Sequence, residues 1–369
     1  MKLKPFLLDQ WLNEHEFADP PVEFNLASST GPIWTLRELT ESLGGDLGER
    51  LLETPLVYGE AAGGHRLREA IGRMAGVSPD SVVITTGASE ALWILFLLAS
   101  EGGANVLLPL PCFPTMNEAA RALGLELRHY RLHRDDDFRI DLDEIEKLTD
   151  SRTRLILVNS PHNPTGATVS DEELARLHDF SAERAISLVV DEVYHPIYHG
   201  RETRSAARLP RATVLGSFSK AFSLSALRIG WMIEPDSRQR ERYVNARSYL
   251  TISSSALCEA LALAAVAARE RIFARASQVA GENLTRLETF FQERADRFGW
   301  VKPRGGLTVF PWLRNEADAR PLCRAAARAG VLLAPGDCFD MPAHFRVGLA
   351  ASGERFSEAL ARLSGLVAR

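Results

Sequence analysis

Residues 154–194 read RLILVNSPHNPTGATVSDEELARLHDFSAERAISLVVDEVY. RLILVN (154–159) and SLVVDE (187–192) each carry an unbroken apolar centre. Strands covered on both faces read this way, whereas half-exposed strands alternate. Between them Ser170-Asp171-Glu172-Glu173 matches the capping-box pattern Ser-x-x-Glu, which opens a helix over 171–184. A strand, a turn, a capped helix and a second strand form the crossover that parallel neighbours require.

The same alternation continues outward. SVVITT (81–86), ANVLLP (104–109), LELRHY (125–130), TVLGSF (213–218) and LRIGWMI (227–233) read as further strands, with helices over 88–100 and 115–123. The fold class expected is α/β, a three-layer sandwich around a mostly parallel sheet. An Ala-rich helical region follows over 255–295. Beyond it the pattern changes to a strand pair over 300–313 around Gly305-Gly306, a helix over 317–329, the strands VLLAP and HFRVGLA, and a last helix from about 352. That reads as a smaller α+β unit. The first 45 residues hold amphipathic helical segments and the irregular stretch NLASSTGPIW.

The chain has 369 residues, 46% of them hydrophobic, which is ample for a sizeable core. A formal net charge of −5 makes no electrostatic case for nucleic acid or an anionic membrane. The apolar run ALWILFLLA (91–99) is too short to span a bilayer and reads as a buried helix. Cys112, Cys258, Cys323 and Cys338 have no CxxC spacing and read as reduced thiols of a cytoplasmic protein. The N-terminus lacks the longer apolar segment of a signal peptide. Only five of the 43 basic residues are lysines: Lys2, Lys4, Lys147, Lys220 and Lys302.

Five motifs carry chemistry. TTGASEAL (85–92) sits where a strand turns into a helix, so its amides either cradle a phosphate or form a plain turn. NSPHNPTGA (159–167) places Asn163 in a rigid loop at a strand's carboxyl end, where open α/β sheets bind ligands. Asp191 ends the next strand and serves either as a cap or as the partner of a cation. In GSFSKAFSLSALRIGW (216–231), Lys220 lies among small, hydroxylated and apolar residues. It reads either as a surface lysine or as a desolvated amine suited to Schiff-base formation. In HFRVGLA (344–350), Arg346 lies within an apolar strand and wants a carboxylate, from the protein or from a substrate. No metal site is expected. Pro196 interrupts the face shared by His195 and His199, no third ligand has suitable spacing, and His129 with His133 fares no better.

The serial order of these motifs resembles the class I/II aminotransferase family. It runs Tyr58-x4-Gly63-x3-Leu67-Arg68, GASEA, PHNPTG, DEVY, SFSK with Arg228, and FRVGLA, from about residue 54 to 350. The resemblance implies the aspartate aminotransferase fold, with a large domain over 46–275 and a small domain built from 276–369 and the segment 1–45. It implies pyridoxal 5′-phosphate (PLP) as cofactor, held by Lys220 as a Schiff base, with the same amine moving the α-proton. Asp191 then pairs with the pyridine N–H. Asn163 and Tyr194 bond the phenolic oxygen. Phe113 stacks on the ring. The Ala88 and Ser89 amides, Ser217, Ser219 and Arg228 hold the phosphate. Arg346, with Asn163 nearby, binds the substrate α-carboxylate. Tyr58 reaches the phosphate of a neighbouring subunit, implying a homodimer with shared active sites.

NLASSTGPIWTLREL, PHNPTGATV and PRGGLTVFP are similar to the branch containing capreomycidine synthase, which cyclises a hydroxylated arginine without net transamination. The expected reaction is amino transfer between an α-amino acid and a 2-oxo acid. The alternative is a PLP-dependent lyase or cyclase of the same chemistry. Ser28-Ser29-Thr30-Gly31 borders the substrate pocket or forms an ordinary turn. A regulator on this fold is disfavoured because no basic helix precedes the pattern, and a nicotinamide dehydrogenase because GxGxxG is absent. Side-chain specificity is not readable, and Arg247 lies in the region from which dicarboxylate enzymes lend an arginine to the partner.

Overall fold

The structure, a computed structural model, describes residues 3–43 and 47–367. Its centre is a seven-stranded sheet in the order Val82–Thr85, Gly230–Ile233, Ala212–Ser217, Ser187–Asp191, Thr153–Asn159, Asn105–Leu110, Glu126–Arg131. Gly230–Ile233 runs antiparallel to both neighbours, and every other pairing is parallel.

The apolar centres read from the sequence explain the layers. Successive side chains of a strand point to opposite faces. Ile156, Val158, Leu188 and Val190 enter one core, while Leu155, Leu157 and Val189 enter another on the far face. Both cores are closed by helices, so the sheet is the middle of three layers. Each such side chain, fully buried, contributes roughly 1.5–3 kcal/mol of transfer free energy. On the second face lies Gly87–Ala99, whose Ala91, Leu92, Ile94, Leu95 and Phe96 are buried. Asp171–Glu183 starts at the expected capping box: Ser170 Oγ accepts from the Glu173 amide at 3.1 Å, and Glu173 Oε2 accepts from the Ser170 amide at 2.9 Å.

The C-terminal part differs from expectation in two places. The helical region 255–295 is two helices, Ala256–Ala267 and Arg269–Gln292, broken at Ala268. The strand pair over 300–313 does not form as a tight hairpin; an antiparallel pair centred on Gly305-Gly306 does form, but its first limb lies before residue 300 and the inner residues pair elsewhere. Thr308–Val309 pairs with Phe345–Gly348, and Trp312–Leu313 pairs with Phe298–Gly299. Pro303 and Pro311 have no amide to give a ladder, and Gly306 turns with φ +80°.

The N-terminal segment is woven into this unit. Phe24–Asn25 pairs in parallel with Val331–Leu332, and the Gly348 amide donates to Leu26 O at 2.7 Å. The expected boundary at 45/46 lies outside the described residues, and that at 275/276 falls inside Arg269–Gln292. Among the described residues no helix is long and apolar enough to cross a membrane.

Candidate active site

Parallel pairing brings the decisive residues to one edge of the sheet. Asn159 and Asp191 are register partners at the carboxyl ends of adjacent strands. Ser217 ends the next strand opposite Gly230. A Cβ on Gly230 would stand 2.8 Å from the Ala88 nitrogen, so glycine lets the first turn of Gly87–Ala99 pack against the strand. Gly87 itself has φ +73°, and a Cβ there would lie 2.7 Å from Arg228 Nη2. The turn is thus shaped around the guanidinium.

Above this edge lies a cavity of about 230 Å³. Of the residues expected at the site, Ala88, Ser89, Phe113, Asn163, Asp191, Tyr194, Ser217, Ser219, Lys220 and Arg228 all line it. One end gathers the helix N-terminus, the Ser217 and Ser219 hydroxyls 3.0 Å apart, and Arg228, whose Nη1 reaches Ser219 Oγ at 3.4 Å. Amides at a helix start, hydroxyls and a guanidinium are together an anion-accepting set. Phe113 forms part of the wall and meets Phe6 edge-on at 5.8 Å.

The other end is titratable. Asp191 is buried, and burial raises its carboxyl to about 6 against the opposing Val193 amide and Lys220. Burial likewise pushes the Lys220 amine down to about 7, assisted by the Arg346 and Arg228 charges and opposed by Asp191. Lys220 Nζ donates to Ser29 Oγ at 2.8 Å. Tyr194 is 1% exposed and donates to Ser29 O at 3.1 Å, and burial raises its phenol to about 12. The two readings of Asp191 are not exclusive: Oδ1 also accepts from the Val193 amide at 3.2 Å, as a turn residue does.

Arg346 is fully buried behind Asn163. Its Nη1 donates to Asn163 Oδ1 at 3.1 Å and its Nη2 to Ala27 O at 2.7 Å, while Nε has no partner. Among the described residues its acceptors are therefore neutral. A buried guanidinium held this way is short of a counter-charge.

Tyr58 does not join the cavity. It is 80% exposed, next to the exposed Leu56 and Val57. Arg247 points inward. It is buried, donates to Ala61 O and to Ser254 Oγ at 2.7 Å, and lies 3.6 Å from Glu90. His195 and His199 go to separate partners, Tyr198 and Gly306 O.

Asn159 and Ser29 were missed in these roles. Asn159 Oδ1 accepts from the Asn163 amide at 2.8 Å and its Nδ2 donates to Asp191 O at 2.9 Å, bracing both loops. Its signal was a polar residue closing the apolar run RLILV, the same signal that singled out Asp191. Ser29 was expected only as part of a stretch bordering the pocket or forming a turn; its contact with Lys220 left no signal, because the two lie 191 residues apart.

Residues 50–363 match the family described as aminotransferase class I and II. Capreomycidine synthase of Streptomyces vinaceus is 32% identical over 362 residues, covering 97% of this chain and 92% of that one. The solved structure of a PLP-dependent aminotransferase from Streptococcus suis superposes with a TM-score of 0.93 at 26% identity, covering 100% and 99% of the two chains. That of the PLP-dependent cyclase OrfR gives 0.90 at 26%, covering 100% and 98%. With this fold, this site and a match over most of its length, the chain belongs to the class I and II aminotransferase family of PLP-dependent enzymes.

Proposed function

We propose that the chain is a PLP-dependent enzyme that removes the α-proton of an α-amino acid, with Lys220 as the base, and that it completes an amino transfer to a 2-oxo acid. The observation that carries this is the divided cavity. An anion-accepting end at Ala88, Ser89, Ser217, Ser219 and Arg228 faces an end where Asp191, Tyr194 and Lys220 meet. This donor set fits PLP: the first end would hold its phosphate, Asp191 its ring nitrogen, Asn163 and Tyr194 its phenolic oxygen, Phe113 its ring face and Lys220 its carbonyl. When bound, PLP supplies the electron sink that accepts the electrons left by the departing proton.

The chain's own residues do the rest. Arg346 takes the substrate carboxylate bidentately, filling the counter-charge its neutral acceptors leave open. Asn163 shares Arg346 and lines the cavity, so it ties the carboxylate's position to the reacting centre. Lys220, with its amine brought near 7, is a base poised for proton transfer at neutral pH. Asp191, a buried carboxyl lining the cavity, would pair with the protonated ring nitrogen.

Tyr58 and the exposed apolar residues beside it support a homodimer in which Tyr58 serves the partner's site. Four free cysteines support a cytoplasmic enzyme, and the large and small units proposed remain 46–275 and 276–369 with 1–45.

A second reading, cyclisation or elimination from the same deprotonated substrate, is favoured by one observation. The likeness to capreomycidine synthase covers 97% of the chain, whereas the family match begins at residue 50. It therefore takes in the N-terminal segment that reaches Lys220. Mixing the PLP-loaded enzyme with amino donors alone decides between them. Amino transfer requires stoichiometric pyridoxamine phosphate and 2-oxo acid. Product without pyridoxamine phosphate would establish the second reading.

A further inference from the structure

We propose that Ser29 is a positioning residue for Lys220, its hydroxyl accepting one N–H of the free amine and thereby aiming the lone pair and holding the proton the amine takes up. The inference rests on the reading of Lys220 as the base.

The geometry is a 2.8 Å hydrogen bond from Lys220 Nζ to Ser29 Oγ, at a serine only 9% exposed. Ser29 is a fixed point because its segment is tied down on every side. Asn25 Oδ1 accepts from the Ala27 and Ser28 amides at 3.0 and 3.1 Å. Leu26 O accepts from the Gly348 amide, Ala27 O from Arg346, and Ser29 O from Tyr194. Gly31 packs so closely on the lysine turn that a Cβ would collide with Ser223 Oγ and stand 3.3 Å from Lys220 O. Tyr194 and Arg346, two residues already placed in the site, therefore hold the backbone that carries the hydroxyl.

The chemistry follows from what surrounds the amine. Asp191 faces it from its strand, Tyr194 from the turn after it, Arg228 from the loop beyond Lys220, and Arg346 from the small unit. The N-terminal segment LASSTG brings no charge. Two cations and burial disfavour the ammonium form. A carboxylate in place of Ser29 would hold the proton permanently. A hydroxyl stabilises the ammonium through one hydrogen bond and leaves the neutral amine's lone pair free.

The test uses the full chain as wild type, Ser29→Ala, Ser29→Cys, Ser29→Thr and Lys220→Ala. After PLP is stripped, acetic anhydride labelling of the Lys220 peptide is followed by mass spectrometry across pH. PLP capture is then followed by absorbance. Losing a hydrogen bond to a charged group lowers the half-labelling pH by about one unit in Ser29→Ala and Ser29→Cys, and Ser29→Thr restores it. PLP capture slows about tenfold in the same two variants, because the amine is no longer aimed. A Ser29→Ala and a Ser29→Cys chain that both label and capture PLP like wild type overturn the proposal. Lys220→Ala separates the two claims. If it still converts amino donor to product, the base assignment falls. If it is inactive while Ser29→Ala tracks wild type, only the role of Ser29 falls.

Discussion

Arg346 Nη1 lies 3.1 Å from Asn163 Oδ1, joining a strand of the C-terminal unit to the loop after Thr153–Asn159, 183 residues earlier. The contact couples the proposed carboxylate anchor to the cavity through one side chain. It also explains how Arg346 is tolerated in an apolar strand: two neutral oxygens hold it, and the proposed substrate carboxylate would supply the charge.

Arg346→Lys should cut kcat/KM by roughly 30-fold or more, on the order of 2 kcal/mol, because an ammonium cannot reproduce the bidentate fork in a buried site. PLP absorbance should be unchanged. Steady-state kinetics with spectroscopic titration of PLP checks this. A loss of cofactor together with activity would place Arg346 in cofactor binding instead.

Asp191 gives the PLP-free chain a distinct dependence on pH. Its carboxyl rises from the ordinary 3.8 to about 6 on burial. Between those values the folded chain keeps a proton that the unfolded chain has lost, so its contribution to stability falls as pH rises through that window. The buried His195 and His344, both pushed down to about 4, slope the other way. Only a difference measurement isolates Asp191. Denaturation from pH 4 to 7 should show Asp191→Asn gaining on wild type as pH rises. Parallel curves would mean the carboxyl is not raised.

The exposed Leu56-Val57-Tyr58 stretch should be an interface in solution. Light scattering should find a dimer, and Leu56→Glu should shift it toward monomer with weaker PLP retention. Tyr58→Phe should leave the dimer intact and raise the Kd for PLP by several-fold, the loss of one hydrogen bond to a charged group. A wild-type monomer with full PLP occupancy would refute both expectations.

Arg247 should prove structural. Glu90, which accepts from the Thr86 amide at 2.5 Å and Thr251 Oγ1 at 2.5 Å, would be left without its cation in Arg247→Met. Breaking a buried pair on one side costs about 3–5 kcal/mol. Chemical denaturation should show that loss, while Glu90→Gln in the same background recovers part of it. An Arg247→Met chain of wild-type stability with altered substrate preference would return this residue to the specificity question.

Much of this protein is local in its physics and was therefore readable from the chain alone. The apolar centres of RLILVN and SLVVDE specify strands buried on both faces because period and hydrophobicity act within a few residues. The Ser170 capping box is written in four consecutive residues. Asp191 and Arg346 stood out as polar side chains at the end or middle of an apolar run, Asn163 as a residue of a proline-braced loop at a strand end, and Lys220 as one of five lysines, set among small, hydroxylated and apolar residues. What misled was equally local. The Gly305-Gly306 turn was right in place but not in tightness: Trp312–Leu313 pairs across it with Phe298–Gly299, whereas Thr308–Val309, nearer the turn, pairs with the distant Phe345–Gly348.

Only the tertiary structure settled which side chains meet. Parallel register set Asn159 beside Asp191. The return of Phe345–Gly348 under the N-terminal segment brought Arg346 to Asn163 and Ala27. The same segment laid Ser29 on Lys220. The chain by itself determined an α/β sandwich and its strand ends, since those follow from side-chain period and polarity, whereas the joining of Lys220 and Asp191 in one site was implied only by the resemblance of its motifs to the family. The divided cavity, the lowered amine and the hydroxyl beside it arise from burial and long-range contact, which exist only once the layers have closed.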